Sequence, residues 1–297
     1  VAAAGTVAAI HRAAPRGFWT YAWSEMQRPV EPPPHQPYVR AWPDRGLHVA
    51  WLGHSTTLIN VDGFTILTDP VLTNYAGFHI GPLSLGLKRL TAPAIRVQDL
   101  PRIDLILLSH AHMDHFDTRT LRALENKGTR VVTAWQTSDL LRVRRYHSVQ
   151  ELRWNQQIWV GEVTVRAIQV KHWGARYRTD TYRGYNGYVI EAGAHRVLFA
   201  GDTAETDTFR SLRTRRGFDV AIMPIGAYNP WIRNHCTPEQ AWRMGNDAGA
   251  ELFVPVHHQT FRLSREPRLE PIERFLSAAA SRPERVATHS IGQEIHL

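Results

Sequence analysis

The run Ser109-His110-Ala111-His112-Met113-Asp114-His115 constrains this chain more than any other stretch. It sets three imidazoles and a carboxylate side by side, directly behind the apolar, strand-like run Ile103-Asp104-Leu105-Ile106-Leu107-Leu108. Imidazole and carboxylate are good ligands for divalent metals, so this spacing reads as a metal site rather than a His-rich surface loop. Ligand pairs this close together cannot all reach one tetrahedral ion without strain, which points to two ions side by side. Strand-end loops gathered on one edge of a sheet are a common rigid scaffold for such a site.

Three further apolar runs end in a candidate ligand. Residues 163–170 lead to Lys171 and His172, residues 196–200 lead through Gly201 to Asp202, and residues 252–256 lead to His257. Each alone is weak evidence, because a lone His behind a strand is more often structural. Beside the anchor motif they support one another.

The remaining pattern is that of an α/β chain. Residues 48–52, 57–61 and 64–68 are short β-rich runs punctuated by Gly53 and the Asp62-Gly63 turn pair. Val163-Thr164-Val165-Arg166-Ala167 alternates as a half-buried strand should. Residues 77–93 are rich in Gly and Pro and read as a long loop able to form part of a substrate wall. Asp117 is a good N-cap for a helix running from Thr118 towards Gly128. Thr237-Pro238-Glu239-Gln240 has the form of a capping box with Pro at the first helical position. Residues 1–45 read as an N-terminal arm. Its Pro-rich piece, residues 30–37, cannot sustain a helix or an inner strand. Phe18, Trp19, Tyr21 and Trp23 precede that piece, suited to packing the arm on the body or to touching a membrane interface. Residues 46–297 are left as the catalytic domain.

Composition narrows the partners. Lys and Arg exceed Asp and Glu by 35 − 27 = 8 charges, which favours anionic partners such as phosphate esters or anionic lipid surfaces. The basic runs Arg142-Val143-Arg144-Arg145 and Arg213-Thr214-Arg215-Arg216 read as solvated faces, and nucleic acid is not an expected partner. The single cysteine, Cys236, rules out an intrachain disulfide. No apolar run approaches the roughly 18 residues needed to span a bilayer. A cytoplasmic or peripheral membrane setting is expected, with export left open because the first ten residues are Ala-rich and lack an initiator Met, as a processed terminus that hides a targeting signal would. Oligomeric state is left open as well.

At this point the chain resembles the metallo-β-lactamase superfamily, whose hallmark is HxHxDH followed by His, Asp and His at strand ends. Within it, the segments are most similar to N-acyl-phosphatidylethanolamine phospholipase D and its bacterial relatives, with ascorbate-6-phosphate lactonase a more distant cousin. The matching pieces include Trp51-Leu52-Gly53-His54-Ser55-Thr56, Leu67-Thr68-Asp69-Pro70, His172-Trp173-Gly174-Ala175-Arg176 and Phe199-Ala200-Gly201-Asp202-Thr203. Pro224-Ile225-Gly226-Ala227-Tyr228-Asn229-Pro230 and Val254-Pro255-Val256-His257 complete the set. The resemblance implies an αββα sandwich, two mixed sheets flanked by helices. It also implies two divalent ions, zinc first with manganese or iron also fitting. His110, His112 and His172 would hold one ion, Asp114, His115 and His257 the other, and Asp202 would bridge them. The chain departs from the relatives at His257-His258-Gln259-Thr260-Phe261, where they usually read His-Trp-Gly-Thr-Phe, and at Tyr185-Asn186-Gly187, where they tend to carry Trp-Gly-Gly.

The chemistry expected is hydrolysis. Two divalent ions about 3.5–4 Å apart can share a water, bring its pKa to near 7 and neutralise charge on a phosphoryl or carbonyl oxygen. Asp114 is placed to orient that nucleophile. His235 lies just ahead of a helix N-terminus, where anions bind well. His235 and Tyr228 are expected to contact the phosphate or protonate the leaving alkoxide, with Trp173 and His258 as substrate walls. His54 is expected to support the site from behind. The function expected is a phosphodiesterase of phospholipase D type acting on an anionic small molecule or phospholipid. Lactone or β-lactam hydrolysis uses the same site, a metal-dependent ribonuclease ranks below it, and purely structural metals rank last.

Overall fold

The computed structural model describes residue 25 and residues 27–81, 83–177 and 179–297. The aromatic cluster of the arm, Phe18 to Trp23, lies outside the described residues. Numbered along the chain, β1 (Leu47–Gly53), β2 (Thr56–Val61), β3 (Phe64–Thr68), β6 (Leu105–Leu108), β7 (Arg130–Ala134), β8 (Ser148–Leu152) and β15 (Glu294–His296) form one sheet. Its order is β15-β1-β2-β3-β6-β7-β8. The second sheet, in the order β14-β13-β12-β11-β10-β9, contains β9 (Gln157–Val160), β10 (Val163–Ile168), β11 (Gly187–Ala192), β12 (His195–Phe199), β13 (Phe218–Pro224) and β14 (Ala250–Val256). Both sheets are mixed: β3, β6, β7 and β8 run parallel, as do β12, β13 and β14, while the other pairs are antiparallel.

The period-2 alternation of the second sheet decides what each residue buries. Val165, Tyr188, Ile190, Val197, Phe199, Val220, Ile222 and Val254 turn inward onto the first sheet, meeting Leu47, Ile59, Ile66 and Leu107 in one core. Their neighbours Val189, Leu198, Ala221, Met223 and Phe253 turn outward into a second core, under α2 (Thr208–Ser211), α3 (Pro238–Ala248) and α4 (Glu270–Ala278). With both faces covered, β11 to β14 read as nearly continuous apolar runs. The expected layered sandwich is what forms.

Local signals set the helix ends. At α3 the Thr237 hydroxyl accepts from the Gln240 backbone N–H while the Gln240 side chain accepts from the Thr237 N–H, and Gly249 ends the helix at φ +83°. Asp117 caps α1 (Thr118–Ala123) by accepting from Arg119 N–H, but this helix stops well short of Gly128.

Residues 77–93 are not the long loop their composition suggests. Most of that stretch is a β-hairpin, β4 (Tyr75–Ile80) and β5 (Leu83–Lys88), standing apart from both sheets. Gly77 and Gly86 are paired in register across it. A Cβ on either would sit 2.0–2.1 Å from the opposite strand's carbonyl oxygen, so the glycines permit close strand approach here rather than breaking structure. The described part of the arm lies on the body: the Glu31 N–H donates to Leu90 O, and Arg28 donates to the carbonyls of Lys88 and Arg89. Among the described residues, no helix is long and apolar enough to cross a membrane.

Candidate metal centre

Every expected ligand sits just past the C-terminal end of a strand, on the same edge of the sandwich. Behind β6, the chain turns so that His110, His112, Asp114 and His115 point together. Asp202 follows β12 through Gly201, which adopts φ +60°. A Cβ there would lie 2.7 Å from Asn186 O and 2.9 Å from the Ser109 Cβ, so only glycine brings Asp202 this close to the motif. His54, Asp69, Ala227, His257 and Gln259 all hold positive φ without being glycine. Such conformations persist where the surroundings overdetermine them, and they gather at functional sites.

Two clusters result. In the first, His110 Nε2 lies 2.8 Å and His172 Nε2 3.3 Å from His112 Nδ1. In the second, the Asp114 carboxylate lies 3.6 Å from His115 Nε2 and 3.7 Å from His257 Nε2. Asp202 stands between them. Its Oδ2 is 3.1 Å from both His115 Nε2 and His257 Nε2, and 4.0 and 3.8 Å from His110 Nε2 and His172 Nε2.

The backing hydrogen bonds decide which nitrogens carry lone pairs. The Ser109 hydroxyl donates to Asp69 Oδ2 at 2.5 Å, so His110 Nδ1–H donates to Ser109 Oγ at 2.8 Å. His172 Nδ1–H donates to Asn234 O at 2.8 Å, and His115 Nδ1–H donates to Asp69 Oδ2 at 2.7 Å. Tied in this way, His110 and His172 present Nε2 lone pairs to the centre, and His115 would present its own on giving up a proton. The buried atoms His115 Nε2, His257 Nε2 and Asp202 Oδ1 have no hydrogen-bond partner. Convergent lone pairs and an unpartnered buried carboxylate oxygen are costly unless a cation joins them. The donor set therefore fits divalent metal, either cluster being able to hold an ion.

Electrostatics separate the clusters. Burial drives His110 and His172 well below the ordinary imidazole value, and His112 to about 4, so the first cluster is neutral at pH 7. Burial opposes charge in the second cluster too, but Asp202 and Asp114 overcome it. They hold His115 well above its ordinary value and His257 at about 9. Burial likewise works against ionising Asp114 and Asp202, yet the facing imidazoles keep both carboxyls well below the usual range.

Sequence reasoning left Asp69 and Ser109 without a role, although Asp69 closes both backing networks. Its backbone accepts no hint from its neighbours in the chain; the parallel pairing of β3 with β6 brings it under the motif. His54 does stand behind the site: its Nε2 contacts Asp114 Oδ2 at 3.0 Å, and its backbone N–H donates to Thr260 Oγ1 at 2.7 Å.

The metal clusters open onto a cleft of about 340 Å³. Trp173, Met113, Trp231, Ala227 and Leu263 give it apolar walls, and Asn234, His235 and Arg176 give it polar ones. Trp173 and His235 are thus where the sequence placed them. Arg176, the one Lys or Arg lining the cleft among the described residues, was quoted in a motif but given no role. Its guanidinium donates to Ala111 O and Phe116 O at 3.0 and 2.9 Å, tying the Trp173 loop to the motif.

Two expected substrate residues are elsewhere. The Tyr228 hydroxyl donates to Glu270 of α4 at 2.7 Å and its ring lies under Arg274, so it serves packing rather than the cleft. His258 points away from its neighbour His257, as successive residues leaving a strand do. Its ring stacks on Trp51 with centroids 4.5 Å apart and its Nε2–H donates to Pro255 O, leaving it outside the cleft wall and outside both clusters.

Comparison with known proteins agrees with this geometry. Residues 65–258 match the family model described as the beta-lactamase superfamily domain. An uncharacterised protein of Mycobacterium tuberculosis is 35% identical, covering 84% of this chain and 68% of its own length. The N-acyl-phosphatidylethanolamine-hydrolyzing phospholipase D 1 of Caenorhabditis elegans is 29% identical over 78% of this chain and 69% of its own. A metal-dependent hydrolase of Thermus thermophilus is 30% identical, over 72% of this chain and 85% of its own. A metallo hydrolase from Ignicoccus hospitalis shares the fold at a TM-score of 0.64 and 21% identity, covering 84% of this chain and 98% of its own. The chain belongs to the beta-lactamase superfamily and is a metal-dependent hydrolase of the metallo-β-lactamase fold.

Proposed function

We propose that this hydrolase is a dinuclear phosphodiesterase of phospholipase D type, acting on N-acyl-phosphatidylethanolamine-like lipids. The observation that carries the reading is the cleft itself. It combines Arg176 and a floor of ligand clusters that would hold divalent cations with walls of Trp173, Trp231, Met113 and Leu263. An anionic phosphodiester bearing acyl chains uses both, whereas a small neutral lactone, though it would draw on the same metal-activated water, has neither the charge to meet Arg176 nor the bulk to fill so much apolar wall. The phospholipase D named among the relatives adds support.

His110, His112 and His172 would hold one ion, Asp114, His115 and His257 the other, and Asp202 is placed to reach both. Divalent ions held there supply Lewis-acid charge and activate water at neutral pH, and zinc suits a donor set of imidazoles and carboxylates. Asp114 is fixed by His54, so its carboxylate can orient the attacking water along one direction. Burial outweighs the pull of Asp202 and holds His235 at about 4, leaving it neutral at pH 7. It therefore offers an N–H to a phosphoryl oxygen and carries no spare proton for the leaving alkoxide. Arg176 adds a fixed positive charge at the cleft wall, and Trp173 excludes water beside His112, 4.6 Å from it between ring centroids.

A hydrolysis panel on one metal-loaded preparation tests this. It contains bis-aryl phosphate, an N-acyl-phosphatidylethanolamine, an acyl-homoserine lactone and a cephalosporin. The phosphodiesters should turn over fastest; lactone turnover far above both would reassign the enzyme to carbonyl chemistry. His235→Ala should lower phosphodiester turnover with metal content unchanged.

A further inference from the structure

The β4–β5 hairpin is a two-stranded ribbon that belongs to neither sheet. Ribbons of this kind are marginal in water unless a hydrophobic face is covered. This one buries Ala76 against Val71 and Phe261, but leaves Phe78, Leu85 and Leu87 each 44–50% exposed. Phe78 and Leu85 are direct partners across the ribbon, so they form one apolar spot. His79 holds the other side of the ribbon to the body through Asp117 at 3.0 Å, and Arg119 bonds Ser84 at 3.2 Å. The apolar side is thereby fixed outward.

That spot continues around the cleft. The Phe78 ring stacks on Tyr177 at 6.0 Å, one residue beyond the cleft-wall residue Arg176. Trp173 and Trp231 follow on the cleft wall, 47% and 52% exposed, and Ile232 stands exposed beside Trp231. Basic side chains border this rim: Arg233 is exposed next to Ile232, and Arg262 and Arg265 are exposed on the loop that sends Leu263 into the cleft.

We infer that this apolar rim, led by Phe78 and Leu85, seats the mouth of the cleft on an anionic phospholipid surface. The inference rests on the phospholipid reading above and names the surface from which that substrate is drawn. Exposed aromatic and aliphatic side chains ringed by arginine are what an anionic bilayer interface recognises, the rings entering the headgroup region and the cations meeting lipid phosphates. A protein seated here would close the cleft; a bilayer seated here feeds it. The contact so inferred lies at the hairpin and the Trp173 and Trp231 loops.

The test is co-sedimentation of the metal-loaded protein with vesicles of phosphatidylcholine alone and of phosphatidylcholine with phosphatidylglycerol. Binding should favour the anionic vesicles and weaken with added salt. Removing two interfacial apolar side chains in Phe78→Ser/Leu85→Ser should cut that partition by about tenfold or more. Neither residue lines the cleft, so turnover of soluble bis-aryl phosphate should stay at the wild-type level, which also shows the variant to be folded. Equal partition of variant and wild type overturns the inference, as does wild-type protein that ignores both vesicles. A wild-type dimer that the double substitution dissociates also overturns it, assigning the rim to a second copy of the chain. Bis-aryl phosphate turnover is read on the same samples, so loss of docking is told apart from failure of the phosphodiesterase reading.

Discussion

The two halves of the centre use nearly the same ligands and hold them in opposite protonation states. His110, His112 and His172 are driven down by burial and stand neutral, whereas His115 and His257 are driven up by Asp114 and Asp202 and stand protonated. The difference comes from where the carboxylates lie. Both press on the second half, at 3.1–3.7 Å, whereas the same Asp202 oxygen stands 3.8–4.0 Å from His110 and His172 and burial outweighs its pull there. A carboxylate beside an imidazole makes a strong site for a divalent ion, and for a proton too. The first half waits for metal with its lone pairs free. The second must give up protons to take it.

Asp202 joins the halves, so its loss should have the largest effect. Asp202→Asn keeps the shape and removes the charge, and should lower kcat/KM for bis-aryl phosphate by about 10²–10³-fold or more while reducing metal content. Retention of both metal and turnover would separate the halves again. Asp69 backs His115 directly and His110 only through Ser109. Asp69→Asn should therefore weaken metal binding about 10–100-fold in the second half, with a smaller change in the first. Equal weakening of the two would show that the backing network is shared evenly.

Proton linkage sharpens the contrast. With His257 held at about 9, metal affinity of the second half should rise by about tenfold per pH unit from pH 6 towards 9 for that proton alone. The first half, with His112 at about 4, should be nearly flat over the same range. Metal titrations in two buffers of different ionisation enthalpy would read the protons released. The metal-free protein should show the opposite trend in stability. A raised imidazole pKa contributes stability that is full below about 6.5 and is lost as pH climbs through about 9. Its Tm should fall across that window, and a rising Tm would contradict the protonated second half. The smallest effect belongs to Tyr228→Phe, which should cost about 1 kcal/mol of stability through the lost bond to Glu270 and leave turnover untouched.

Much of the centre was legible because the motif is local. HxHxDH fits within one turn after β6, and His172, Asp202 and His257 each follow an apolar, strand-like run that gains weight beside the motif. What escaped was set by distant neighbours. Asp69 reaches Ser109 from 40 positions away in the chain. Nothing beside either residue marks that contact. Tyr228 sits in a family-like segment, yet the fold of α4 brings Glu270 to its hydroxyl and removes it from the cleft. The hairpin was misread for a different reason. Gly77 and Gly86 look like breakers in isolation, and become strand residues only when paired with each other.

Stepwise loading of metal-free protein measures the central claim most directly, with metal content and bis-aryl phosphate turnover followed in the same samples at pH 7. Turnover should stay low until the first ion is bound and climb to its limit as the second enters, ending at two ions per chain. Full turnover at one ion per chain, or two bound ions with no phosphodiester hydrolysis, would contradict a paired centre built for phosphodiesters.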